Sequence, residues 1–143
     1  MNKILKSLIL LSLLLLSGIS LPSISQADMI DQDTAVLRAL DNRYARTQLF
    51  ETPLNQSLKF GRNLYIRVRA CRKSQPFDAP EAAAFLEVWT KDDVTEESTW
   101  IFSGWMFASS PALSAMNHPA YDIWVVDCKN ASTSEKETVN PAG

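Results

Sequence analysis

Glycine is scarce. The 143-residue chain holds four, Gly18, Gly61, Gly104 and Gly143. They are too far apart to build the glycine-rich loop that cradles phosphates. Histidine is scarcer still, with His118 alone. One imidazole would need carboxylates such as Asp122 and Asp127 to complete a zinc site. No metal or cofactor is therefore expected. The cysteines are Cys71 and Cys128, with no C-x-x-C spacing, which argues against thiol–disulfide catalysis. No G-x-S-x-G elbow occurs. A glycosidase would need two opposed carboxylates, and nothing distinguishes Glu81 and Glu87 from other acids. Positive charge is not in excess either. The formal net charge is −2, which opposes a nucleic-acid partner.

The N-terminus is what stands out first. Lys3 and Lys6 precede Leu8 to Leu16, which is apolar apart from Ser12. Gly18 and Pro22 break the run, and Ser25-Gln26-Ala27 supplies small residues at the positions a signal peptidase reads. This pattern predicts a signal peptide, residues 1–27, cleaved after Ala27 to release the protein into the periplasm. A retained anchor is the alternative, but a span wants about 20 apolar residues. No cysteine follows the run to carry a lipid. Membrane contact is thus expected only through the signal peptide before cleavage.

An exported chain enters an oxidising space, so an even cysteine pair predicts one disulfide, Cys71 to Cys128. Closing a loop of that length is worth about 4 kcal/mol in the chain-entropy model. The charges are segregated along the chain. Arg38 to Lys73 is strongly basic, and the stretch from Ser74 onward is mostly acidic. Two faces that partly neutralise each other are the favoured explanation. A basic surface for an anionic polymer or lipid is the alternative.

Residues 28–33 are acidic and are expected to be loose. Thr34 to Asp41 suits a strand or a short helix, with a strand preferred because Arg43 to Phe50 follows with no helix cap. Pro53 and Asn55 mark a turn, Ser57 to Phe60 a short strand, and Gly61 its end. Leu64 to Cys71 alternates: Leu64, Ile66, Val68 and Ala70 share one face, Tyr65, Arg67, Arg69 and Cys71 the other. Lys73 to Pro80 is a loop. Ala82 to Ala84 suits a helix, but Phe85 to Thr90 suits a strand. Lys91 to Ser98 reads as an exposed hairpin connection.

Thr99 to Phe107 is apolar on both faces, with Trp100, Phe102 and Met106 set against Ile101, Trp105 and Phe107. Ser110 followed by Pro111 predicts a helix start, giving a short helix near 110–117 that packs Leu113 and Met116 down and ends at Asn117. Tyr121 to Cys128 is the last strand, and residues 130–143 are polar enough to be expected disordered. The expected fold is a single all-β domain, residues 34–129, a compact barrel or sandwich of six to seven short strands.

Several stretches carry a resemblance: Phe60-Gly61, Ile66 to Lys73, Pro80 to Leu86, Phe102 to Leu113, and His118 to Trp124 with Cys128. In this order they resemble a bacterial exported family, mostly alphaproteobacterial, catalogued as domain of unknown function 2155. The resemblance covers Thr34 to Lys129. It implies a periplasmic single-domain protein and brings no established activity, so no catalytic residue is carried over.

Three functions are weighed. The first is a non-enzymatic binding or structural protein of the cell envelope, with an envelope protein as partner. Trp105, Phe107, Trp124, Arg67 and Arg69 are its candidate contact residues, being of types favoured at interface cores. The second is a small serine hydrolase using Ser109 or Ser110 with His118 and Asp122. The third is a glycan-binding module with an exposed Trp stacking on sugar.

Overall fold

The computed structural model describes residues 28–131. The expected signal peptide and residues 132–143 of the expected disordered tail lie outside them. Eight strands form: β1 (Met29–Gln32), β2 (Thr34–Asp41), β3 (Arg46–Pro53), β4 (Ser57–Phe60), β5 (Leu64–Ser74), β6 (Ala82–Lys91), β7 (Ser98–Phe107) and β8 (Tyr121–Lys129). They make two antiparallel sheets. One runs β1-β5-β6-β7, with β4 also paired to β5, and the other runs β3-β2-β8. The sheets face each other without closing into a barrel, so the fold is β-rich and of the sandwich type.

Period-two alternation makes the core. Leu64, Ile66 and Val68 of β5 and Ala84, Leu86 and Val88 of β6 are fully buried. Ala35, Leu37 and Ala39 of β2 and Ile123 and Val125 of β8 meet them from the second sheet. Ala82 to Ala84 joins β6 rather than a helix because strands on both sides take its backbone groups. Pairing outweighs the helix propensity of three alanines.

Two bulges correct the expected faces. The β5–β6 register shifts between Val68 and Ala70, so Ala70 lies opposite Phe85 and Cys71 opposite Ala84. Cys71 thereby turns inward with Leu64, Ile66 and Val68, and Ala70 turns outward. The β6–β7 register shifts where Val88 opposes Phe102 and Trp89 opposes Trp100. The unmatched Ile101 places Trp100 on the face of Trp105, not with Phe102 and Met106. An extra residue on one strand reverses the alternation beyond it.

The expected loose segment is also corrected. Met29–Gln32 is a strand paired with the end of β5, from Met29 opposite Ser74 to Gln32 opposite Cys71. Asp31 meets Arg72 at 2.8 Å. An edge strand in water needs no apolar alternation, so its acids did not betray it. The expected helix is a single 3-10 turn, Pro111–Ser114. Ser110 makes no side-chain cap, and Ala115 is already extended. Leu113 stays 76% exposed, while Met116 packs inward. Between Pro111 and Pro119 there is room for too few hydrogen bonds to offset helix nucleation.

Cys71 and Cys128 are bridged, with Cα atoms 5.7 Å apart. Both are buried, and the bond joins β5 of one sheet to β8 of the other. Replacing both with serine should cost on the order of 2–5 kcal/mol, read as a lower denaturation midpoint of the oxidised protein. A midpoint equal to wild type, or two free thiols labelled in the native protein, would rule out a stabilising bridge.

Candidate functional site

The outer face of the five-stranded sheet carries aligned aromatic residues. Antiparallel register puts Tyr65 of β5 opposite Trp89 of β6, and Trp89 opposite Trp100 of β7. Tyr65 stacks on Trp89 at 5.8 Å between ring centroids, and Trp89 meets Trp100 at 5.6 Å. Nearer the other end of the face, Phe85 meets Trp105 edge-on at 5.7 Å. Cationic side chains border both groups. Lys59 lies over Tyr65, Arg67 over Trp89 at 5.3 Å, and Arg72 over Trp105 at 5.6 Å. Arg67 is held by Ser57 Oγ, at 3.0 Å from Nη2, and by Glu87 at 3.8 Å. Trp100 is 62% exposed, and the other rings are half-buried.

The expected contact residues divide. Trp105, Phe107 and Arg67 lie on this face. Arg69 is the exposed residue skipped by the β5 bulge. Trp124 lies on the opposite side of the sandwich, beside Arg38 of β2, which also faces the exposed Leu49. It therefore does not join the others. Tyr65, Trp89, Trp100 and Arg72 share this face and were not among the expected contact residues. Their signal is the pairing of β5, β6 and β7, which is not visible within any one strand.

The hydrolase residues are engaged elsewhere. The Ser109 hydroxyl donates to the Glu81 carboxylate, whose other oxygen accepts the Ser109 N–H at 3.1 Å. Burial pushes the Glu81 carboxyl up, but hydrogen bonds from Ser109, Ala82 and Ala108 outweigh it and hold the group below its usual range. His118 Nδ1 accepts the N–H groups of Ala120 and Tyr121, both at 3.1 Å. Asp122 accepts from Asn42 Nδ2 at 2.9 Å. In a triad, Nδ1 donates to the carboxylate and Nε2 takes the serine proton. Here these partners assign the proton to Nε2, leaving it no lone pair for a serine. Among the described residues no hydrogen bond joins Ser109 or Ser110 to His118, and no group of three His, Cys, Asp or Glu side chains is placed to hold a metal ion.

The family model described as "Uncharacterized protein conserved in bacteria (DUF2155)" matches residues 35–128. The chain belongs to this family. It is also similar to "Uncharacterized protein RP359" of Rickettsia prowazekii (strain Madrid E), at 34% identity over 107 residues, 74% of this chain and 67% of that protein. No solved structure matches. The matched span of the family runs from the start of β2 to the bridging Cys128, so it contains the whole aromatic face and the His118 turn.

That turn is built around Tyr121, which is 1% exposed. His118 stacks on it at 5.2 Å and Phe60 meets it edge-on at 5.4 Å. Its hydroxyl accepts the Arg62 N–H at 3.1 Å and a bond from Arg43. Gly61 has φ +61°, and a Cβ there would run into the Tyr121 ring. Glycine is thus required twice over, by conformation and by space.

Burial, then the Arg43 charge, hold the His118 imidazole below its usual range, against a smaller upward pull from Asp122. The unfolded chain therefore takes the proton first. Stability contributed by neutral His118 should be complete above the ordinary value of 6.5 and be lost as pH falls below it. His118→Gln should keep one local acceptor, fold, and show a shallower loss of stability over that range in urea titrations. An unchanged pH slope would mean that His118 is not the titrating group.

Proposed function

We propose that this protein is an exported, non-enzymatic component of the cell envelope that binds an envelope protein through the outer face of the five-stranded sheet. The observation that carries the reading is the cross-strand row Tyr65–Trp89–Trp100 beside Phe85–Trp105, bordered by Lys59, Arg67 and Arg72. Tryptophan, tyrosine, phenylalanine and arginine are the residues enriched where proteins meet. Export is supported by the N-terminal pattern of Lys3, Lys6, Leu8 to Leu16 and Ala27.

Ring geometry favours a protein over a glycan. A sugar-stacking platform needs aromatic faces turned to solvent. Here Tyr65 and Trp89 stack on each other, Phe85 meets Trp105 edge-on, and Arg67 and Arg72 lie over the two indoles. Trp100 is the ring left well exposed, and it is the expected anchor.

A photo-crosslinking residue at Glu87, in the middle of this face, should give a discrete adduct with a second protein in the periplasm. The same residue at Leu49, on the opposite sheet, should not. Trp100→Ala should reduce the Glu87 adduct about tenfold or more, as loss of an anchor does, with the thermal midpoint little changed. Equal adducts from both positions, or an adduct indifferent to Trp100, would overturn the reading.

A further inference from the structure

The sandwich gapes along one side. β3 and β4 belong to opposite sheets and together line a cleft of about 280 Å³. Alternation turns Arg46, Gln48 and Phe50 of β3 to the same side as the buried Thr52, which is the core side. Yet Arg46 and Gln48 are exposed and Phe50 is only half-buried. Leu58 and Phe60 of β4 line the cleft from the other sheet and are also half-buried. The Phe50 and Phe60 rings stack at 6.2 Å between centroids. Arg46 and Lys59 line the same cleft, and among the described residues neither meets a carboxylate. Their neighbours are rings, Tyr44 at 6.0 Å from Arg46 and Tyr65 at 5.6 Å from Lys59. Asp41 lies opposite Arg46 in the β2–β3 register. Its carboxylate is taken by Arg43, accepting the backbone N–H at 3.0 Å, Nε at 3.2 Å and Nη2 at 3.0 Å. Both ends of the described chain lie at the far end of these sheets, where Met29 pairs with Ser74 and Ala131 bonds Asp33. An inward charge at a sheet edge discourages pairing, which accounts for Arg46 alone. It accounts neither for a second cation without an acidic partner nor for the half-open rings beside them.

We propose that this cleft binds a small amphiphilic carboxylate, with its head on Arg46 and Lys59 and its apolar body against Phe50, Leu58 and Phe60. Charge complementarity selects the head. A guanidinium offers paired N–H donors that match the two oxygens of a carboxylate. Gln48, two residues on along the same side of β3, adds an amide donor. The rings and Leu58 select the body, because covering them removes apolar surface from water. Volume sets the size. At about 30 Å³ for each water-sized group, a cleft of about 280 Å³ takes about nine. A single chain of about eight carbons fits that space, and a two-tailed lipid does not. The site is distinct from the aromatic outer face, with which it shares only Lys59.

Octanoate titrated into the isotopically labelled protein should give saturable NMR shifts at Arg46, Gln48, Phe50 and Phe60. A Kd on the order of a millimolar is what about ten heavy atoms supply. Octylamine has the same body and the opposite charge, and acetate has the head without the body. Each should bind about tenfold more weakly or worse. Arg46→Gln should fold and weaken octanoate binding about tenfold. Lys59→Gln, on the other strand, should weaken it in the same direction. Equal affinity for octylamine overturns the proposal, as does the absence of a saturable shift or a shift centred on the outer-face tryptophans. Nuclear Overhauser contacts from residues 132–143 to the Phe50 and Phe60 rings in the unliganded protein also overturn it, since the chain would then fill its own cleft. The three ligands are compared on the wild-type chain, so the result does not hang on either variant folding.

Discussion

The bridge between Cys71 and Cys128 is the constraint on which the two sheets depend. It joins β5 to β8, and the core between them is thin. Many of its buried side chains are alanines: Ala35 and Ala39 of β2, and Ala82 and Ala84 of β6. Alanine removes little apolar surface from water, so each contributes little of the burial free energy that a leucine would. A domain of this size is marginal on burial alone. The covalent tie offsets that deficit by restricting the unfolded chain. It also explains the bulge at Arg69. Without the extra residue Cys71 would point outward with Tyr65 and Arg67, out of reach of Cys128. The bulge is therefore the local cost of placing the bridge inside.

Much of the fold was legible in the chain, and what was not has a common cause. Alternation within one strand announced β5, and proline, asparagine and glycine marked the turns around Asn55 and Gly61. The cysteine pair followed from number and from the expected compartment. Bulges, by contrast, depend on what the neighbouring strand offers. Nothing in Leu64–Cys71 alone announces that Arg69 is skipped, or in Thr99–Phe107 that Ile101 is. Each missed bulge reversed the faces beyond it, and so hid both the inward Cys71 and the alignment of Trp100 with Trp89 and Trp105. The separation of Trp124 from Trp105 was hidden for a related reason. Its composition matches that of Trp105, but the β2–β8 pairing carries it to the other sheet.

The split of charge along the chain is partly paired away in three dimensions. Arg62 meets Asp93, Arg67 meets Glu87, and Lys73 meets Asp127 at 2.8 Å, each joining the basic half to the acidic half. Exposed pairs of this kind add little stability. Their consequence is for recognition: several cations that would attract an anionic polymer already have an acidic neighbour. On the aromatic face Arg67 and Arg72 work as flat, fixed groups over indole rings, a use of arginine that depends on shape as much as on charge.

Face and edge place different demands on side chains, and β7 belongs to both. β7 brings Trp100 and Trp105 to the outer face through its side chains, while its unpaired edge is a property of its backbone. A charged residue in β7 would protect the edge, but at an outward position it would also interrupt the aromatic surface. At an inward position it would meet Phe102 and Met106 in the core side of the sheet, where an unpaired charge is costly. Only at its exposed polar positions, Ser98, Thr99 and Ser103, would β7 take a charge without disturbing the aromatic rows or the core.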